Sequence, residues 1–151
     1  MATEVNIKFL NNSDNMYDLK QATAGSAGFD LIAAIEKNVI IGSSECCLIN
    51  CGISIEMPKN IEAQVRPRSG LALKKMITVL NSPGTIDSDY RGEICVIIIN
   101  HSSQDFIVEK GMRIAQLVFH ELPEIKLIKV QELGTSKRGK GGFGSTGLKS
   151  S

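Results

Sequence analysis

From Cys47 onward the odd-numbered positions are apolar (Cys47, Ile49, Cys51, Ile53, Ile55, Met57), while Asn50, Ser54 and Glu56 fall between them. A two-residue period of this length predicts one long strand with a single buried face. The segment "IEAQV" repeats the pattern, with Ile61, Ala63 and Val65 alternating against Glu62 and Gln64. Further strands are predicted at "VNIKFL", "FDLIAAI", "NVIIG", "ITVLN", "ICVIIIN", "DFIVE", "RIAQLVF" and "IKLIKV". Only "SGLALKKM" reads as a helix, a short one for which Ser69 is the expected N-cap. Short strands at close spacing, punctuated by Gly, Pro, Asn and Ser, predict an all-β sandwich or barrel rather than a parallel α/β sheet.

One strand departs from the half-exposed pattern. "CVIIIN" is apolar on both faces, as parallel strands often are, yet no crossover helices accompany it. It reads either as a strand between the two strongest packing layers or as one whose second face meets another subunit. We favour the second.

At 151 residues the chain is expected to form one domain able to bury a core without staples. A net charge of +1 supplies no general electrostatic attraction for nucleic acid or membrane. The N-terminus lacks the features of a signal or transit peptide, and no apolar run nears the ~20 residues of a membrane span, so a cytoplasmic, intracellular protein is expected. Cys46, Cys47, Cys51 and Cys95 complete no zinc-ligand pattern and read as reduced, mostly buried thiols.

Four segments carry polar groups that call for explanation. In "RPRSGLAL", Pro67 favours an extended Arg66, and Ser69 then opens a helical turn. Its free N–H groups, with Arg68 alongside, suit a phosphate, although a plain surface turn would look the same. In "NSPGTIDSDYRGE" two turns flank a brief extended stretch, which predicts a hairpin, with Asp87 and Asp89 beside Tyr90. A firmly held carboxylate there can orient and deprotonate a water, while turn-forming aspartates are the bland alternative. In "KGMRIAQL" polar Arg113 and Gln116 interrupt an apolar strand and are expected to bond to backbone or to line a cleft. The tail "KRGKGGFGSTG" has five glycines in eleven residues, a linker-like composition, yet it holds Arg138, Phe143, Ser145 and Thr146. Its glycines leave N–H groups free to approach a phosphate, but it lacks the ending and flanking elements of a P-loop.

Taken together, "SAGFDL", "RPRSGLA", "GTIDSDYRGE", "GMRIAQL" and "RGKGGFGSTG" resemble, in order and spacing, the five motifs of the homotrimeric dUTPases, from about Ala24 to Gly147. The resemblance implies a jelly-roll-like β-barrel or sandwich over residues 1–136. A flexible arm, 137–151, would close over active sites shared between the subunits of a homotrimer. It implies hydrolysis of dUTP to dUMP and pyrophosphate, which keeps uracil out of DNA and supplies dUMP for thymidylate synthesis. Asp87 would activate the water that attacks the α-phosphorus. Arg68, Ser69, Gly70 and Gln116 would hold the α- and β-phosphates. Uracil would be read by Asn81 and the backbone of Gly84, Thr85 and Ile86, with Tyr90 beneath the deoxyribose. Phe143 would stack on the base, Gly144 would join the binding residues, and Arg138, Ser145 and Thr146 would reach the γ-phosphate. The family's Mg²⁺ is held mainly by the triphosphate, with Asp30 supporting it through water. No nucleic acid or membrane partner is implied. Met112 and Lys140 depart from residues common in the family, outside the proposed chemical groups.

Two rivals share the scaffold. A dCTP deaminase would need a different base-reading constellation, and a purely regulatory dUTP-binding protein would be expected to have lost Asp87 or the arm. This sequence keeps both. His101 and His120 fall outside every motif and are assigned no catalytic role.

Overall fold

The computed structural model describes residues 2–142. Its strands are β1 (Asn6–Phe9), β2 (Gly28–Ile32), β3 (Val39–Ile41), β4 (Cys46–Asn50), β5 (Ile53–Glu56), β6 (Ile61–Arg66), β7 (Ile77–Val79), β8 (Gly84–Ile86), β9 (Cys95–Asn100), β10 (Phe106–Val108) and β11 (Arg113–Glu121). One helix, α1 (Ser69–Lys75), joins β6 to β7, and a single 3₁₀ turn spans Asp14–Met16. The two larger sheets have the orders β2-β11-β6-β8 and β4-β9-β7, and the pairs β1-β5 and β3-β10 complete the all-β fold. Among the described residues no sheet closes into a barrel, so the sandwich form of the expectation is the one observed. Inward side chains of both larger sheets, such as Ala63, Val65 and Leu117 from one and Ile49, Val96 and Ile98 from the other, share one core.

The long strand expected from Cys47 to Met57 is two strands. Its buried face is as expected, since Ile49, Cys51, Ile53, Ile55 and Met57 are all in the core. The backbone, however, breaks at Gly52, which has φ +68°. An L side chain rarely adopts that conformation, and a Cβ here would stand 2.7 Å from the Cβ atoms of both Ala34 and Ser13. The break lets β4 pair with β9 while β5 pairs with β1. One apolar run thus serves two sheets.

Four other expectations need correcting. The stretch before Asp87 is extended, but β8 pairs with β6 rather than folding back as a hairpin, because the "SPG" turn carries the chain from one sheet to the other. Ser69 is the first helical residue, not the cap. Arg68 holds the half-in position with φ −99° and ψ 129°, and its carbonyl accepts from the Ala72 N–H at 3.1 Å. "IKLIKV" forms no strand, since among the described residues the last backbone hydrogen bond to the sheet region is Leu122 N–H to Asn60 O at 2.7 Å. Beyond it Ile125 and Leu127 are 70% and 93% exposed, and among the described residues no strand pairs with this segment. Of the four free cysteines only Cys51 is buried, because Cys46 and Cys95 face outward on β4 and β9.

"CVIIIN" is the central strand of its sheet, with Val96, Ile98 and Asn100 buried. Its second face is covered only in part. Ile97 there is flanked by exposed Leu48, its partner across the ladder, and by exposed Leu80, whose N–H donates to Ile97 O at 2.8 Å.

Two stability outcomes follow. Gly52→Ala should cost about 2–4 kcal/mol, combining the left-handed backbone with overpacking, and denaturant unfolding will measure it. Burial pushes the Cys51 thiol far above its ordinary 9.0, and the neighbouring Cys95 and Glu93 push the same way. The folded protein therefore keeps this proton after the unfolded chain has lost it. The stabilising contribution is complete below about pH 9 and declines above it, by up to about tenfold in the folding equilibrium per pH unit. Unfolding titrations from pH 8 to 10.5 should show a shallower decline for Cys51→Ala than for the parent.

Candidate active site

The residues expected to hold phosphate do come together. A cleft of about 480 Å³ is lined by Asp30, Arg68, Ser69, Gly70, Arg113 and Gln116, with Lys74 at its edge. Three different strands deliver these groups. Asp30 lies on β2, directly across from Gln116 on β11, and Gln116 in turn pairs with Arg66 at the end of β6. The chain leaves β6 through Pro67 in extended form and enters α1, so Ser69 and Gly70 arrive beside Gln116 with the unpaired N–H groups of a helix start.

Hydrogen bonds fix the cleft's side chains. Gln116 Nε2 donates to Pro67 O at 3.0 Å, which ties β11 to the entry of the helix. A Cβ on Gly28 would collide with the Gln116 side chain, so glycine in "SAGFDL" makes room for it. Asp30 is gripped from two sides, by Arg68 Nε at 3.1 Å and Arg113 Nη1 at 3.3 Å. Arg68 also donates to Arg113 O at 3.1 Å. Partly exposed ion pairs of this kind add little stability, so their main effect is to orient the guanidinium groups. Three cations, Arg68, Lys74 and Arg113, face one carboxylate, leaving the cleft with a surplus of two positive charges. A Cβ on Gly70 would meet nothing within 4 Å, so the protein's own packing does not require glycine at this point on the cleft wall.

The residues expected to read the base, meet the sugar and activate the water lie elsewhere. Asn81, Thr85, Asp87 and Tyr90 are exposed and do not line the cleft, while Gly84 is buried beneath the Asn81 side chain. Register gives the reason. Ala63 pairs with Ile86, so Asp87 lies across from Glu62 at the start of β6, whereas Arg68 follows its end. Six residues of extended chain separate the two levels, about 20 Å at roughly 3.3 Å per residue. Asp87 and the phosphate-holding residues therefore lie toward opposite ends of β6. Tyr90 is set by its phenol, which donates to Glu93 O at 3.0 Å, and by its N–H, which donates to Asp87 O at 3.1 Å.

Arg138 is exposed and turned onto its own loop, with Nε donating to Gly141 O at 2.8 Å. Phe143, Gly144, Ser145 and Thr146 lie outside the described residues. Sequence reasoning left Arg113 and Lys74 out of the site. Arg113 had a signal, as a polar residue interrupting an apolar strand. Lys74 had none beyond a position four residues past Gly70 on a helix.

The cleft contains one carboxylate, and among the described residues no group of three His, Cys, Asp or Glu is placed to hold a metal. Asp30 is engaged at both oxygens by arginine but keeps further lone pairs. That donor set suits a cation brought in by a polyphosphate and contacted through water, not one held by protein alone.

Comparison with known proteins agrees with this geometry. The family model for dUTPase matches residues 14–147. A deoxyuridine 5'-triphosphate nucleotidohydrolase of Clostridium acetobutylicum is 54% identical over 145 residues, covering 96% of this chain and 99% of that protein. Among solved structures, a Staphylococcus bacteriophage 80alpha dUTPase variant with dUpNHpp has a TM-score of 0.82 at 23% identity, covering 97% of this chain and 100% of the other. A phage phi11 dUTPase variant, described with a structural Mg(II) ion, has a TM-score of 0.76 at 18% identity, covering 87% and 99%. Motif order, cleft and family match converge: this chain belongs to the dUTPase family.

Proposed function

We propose that the protein hydrolyses dUTP to dUMP and pyrophosphate. The carrying observation is the cationic cleft, in which a helix start, Gln116 and two oriented arginines converge on a space sized for a phosphate chain. Its surplus positive charge would offset the charge that gathers on the phosphates as the bond to the leaving group breaks. Arg68, Ser69, Gly70 and Gln116 bind the α- and β-phosphates. Mg²⁺ carried by the triphosphate, with Asp30 contacting it through water, would supply further neutralisation there.

Asp87 is the candidate base. Among the described residues its carboxylate has no hydrogen-bond partner, and it sits at the end of β8 on a turn closed by its own carbonyl. It would orient a water and take its proton as that water attacks the α-phosphorus. Asn81 and the backbone of Gly84, Thr85 and Ile86 would read uracil, and Tyr90 would lie against the deoxyribose. Uracil is chosen over cytosine because reversed donors and acceptors leave desolvated groups unpaired, a penalty reaching ~10⁴-fold.

The separation of Asp87 from Arg68 supports a site shared between subunits of a homotrimer. So do the open apolar face of β9 and the exposed alternation Ile125, Leu127, which forms a strand only where a sheet edge is offered. Residues 137–151 would then serve as the arm that covers the nucleotide, with Arg138, Ser145 and Thr146 on the γ-phosphate and Phe143 on the base.

A Mg²⁺-dependent assay with dUTP, dCTP, dTTP and UTP in parallel should give pyrophosphate from dUTP alone. Ammonia from dCTP, or dUTP binding without product, would overturn the reading. Asp87→Asn should keep the fold and nucleotide binding while lowering turnover by roughly 10²–10⁴. Deleting residues 137–151 should leave the trimer intact by sedimentation and greatly reduce activity, and full activity in the truncated protein would refute the arm's role.

A further inference from the structure

The turn that carries Asp87 and Tyr90 is weakly enclosed. Tyr90 is 44% exposed, and the hydrogen bond of its phenol goes to the main-chain carbonyl of Glu93. The ring lies over Gly92, where any Cβ would collide with it. The tyrosine is therefore positioned by the backbone of residues 92 and 93 rather than by a packed pocket. What fixes that backbone decides where the ring stands.

From Ile94 onward the chain is locked, since the Ile94 N–H donates to Ile53 O at 2.8 Å and Ile94 O accepts from the Cys51 N–H at 3.0 Å. Glu93 extends this anchorage one residue toward the turn. Its half-buried carboxylate accepts from the Gly52 N–H at 2.8 Å with Oε1 and from Asn50 Nδ2 at 2.7 Å with Oε2. Both donors stand at the β4–β5 break, which is itself held rigid by the left-handed Gly52. The other tie on the turn is looser. Arg91 donates to Ser88 O and Tyr90 O, but its link to the rest of the protein is an exposed 3.4 Å pair with Glu56.

We infer that Glu93 is a positioning residue for sugar selection, holding Tyr90 against the deoxyribose by fastening the base-reading turn to the Gly52 break. This rests on the reading that dUTP is the substrate and that Tyr90 meets its sugar. Both Glu93 oxygens are engaged by Gly52 and Asn50, so it should act on the choice between dUTP and UTP more than on the attack itself. A carboxylate suits the role because it accepts at both oxygens. Glutamine can keep the Gly52 N–H on its one accepting oxygen and donate to Asn50 only if Asn50 turns its own Oδ1 inward, so even where both bonds are remade the charge that strengthens them is lost.

The experiment compares kcat/KM for dUTP with that for UTP, the latter read at enzyme concentrations high enough to register turnover too slow for the parallel assay, in the full-length parent, Glu93→Gln, Glu93→Ala and the double variant Glu93→Gln/Asn50→Asp, with Tm recorded for each. In the double variant the glutamine can accept from Gly52 and donate to the new aspartate, which restores both bonds with one polarity reversed. The dUTP/UTP ratio is expected to fall by about 10-fold or more in the single variants, the range of a hydrogen bond to a charged group, and to recover in the double variant. Lowered Tm with an unchanged ratio would make Glu93 merely structural and overturn the inference. A ratio that falls but fails to recover in a folded double variant would overturn the anchoring route. Parent protein that leaves dUTP intact would instead overturn the functional reading on which the inference rests.

Discussion

The fold depends on one backbone break. At Gly52 a run that is apolar on one face throughout leaves the β4-β9-β7 sheet and joins β1, and the change of direction requires a left-handed residue with no Cβ. The break is crowded because it is used. Its N–H goes to Glu93, and its carbonyl accepts from the Leu10 N–H and the Ser13 hydroxyl, which brings the N-terminal segment against the core. Beside it the Tyr17 phenol donates to Cys51 O at 2.7 Å and accepts from the Ile32 N–H at 3.1 Å, joining β2 to the same junction. Burial pushes the pKa of that phenol well above its ordinary value, so it keeps its proton and donates. β2 in turn carries Asp30, so the junction and the cleft share a strand.

The cleft illustrates how weak interactions can matter for chemistry without mattering for stability. The pairs of Asp30 with Arg68 and Arg113 are partly exposed, and solvent screening leaves such pairs with at most about 1 kcal/mol each. Yet a long arginine side chain that is already oriented loses less freedom when a phosphate arrives. The Asp30 carboxylate thus holds two guanidinium groups ready in the space the anion would occupy. An uncompensated cluster of three cations would otherwise repel itself open.

Much of this was legible in the sequence because two signals are local. Strand faces are written as a two-residue period, and β4, β5 and β6 bury the face that the period marks. The chemical groups are written as motifs, and Asp30, Arg68, Ser69, Gly70 and Gln116 meet as expected. The errors occur where structure depends on what lies across a gap. Gly52 interrupts a pattern without altering its period, so its break is invisible until Ala34 and Ser13 are seen beside it. "IKLIKV" has the right alternation, but alternation specifies a strand only together with an edge to pair with. Arg68 displaces Ser69 from the cap because the extended arm after Pro67 ends one residue earlier than a hydroxyl-based rule assumes.

The same dependence on partners governs the site. β6 is a ruler with the phosphate cleft beyond one end and Asp87 across from the other, and no flexing of a paired strand shortens it. Under the proposed function a water-activating carboxylate must lie within hydrogen-bonding reach of the attacking water, and a backbone separation of about 20 Å along β6 argues against that within one chain. The remedy under the proposed function is symmetry rather than motion. Copies arranged in a ring can set the Asp87 end of one β6 against the cleft end of the next, and a closed ring repeats that junction for every subunit. On this reading the half-covered β9 face and the unpaired 125–130 alternation belong to the same requirement as the divided site. Each would then be a surface that one chain leaves unfinished and a neighbour completes.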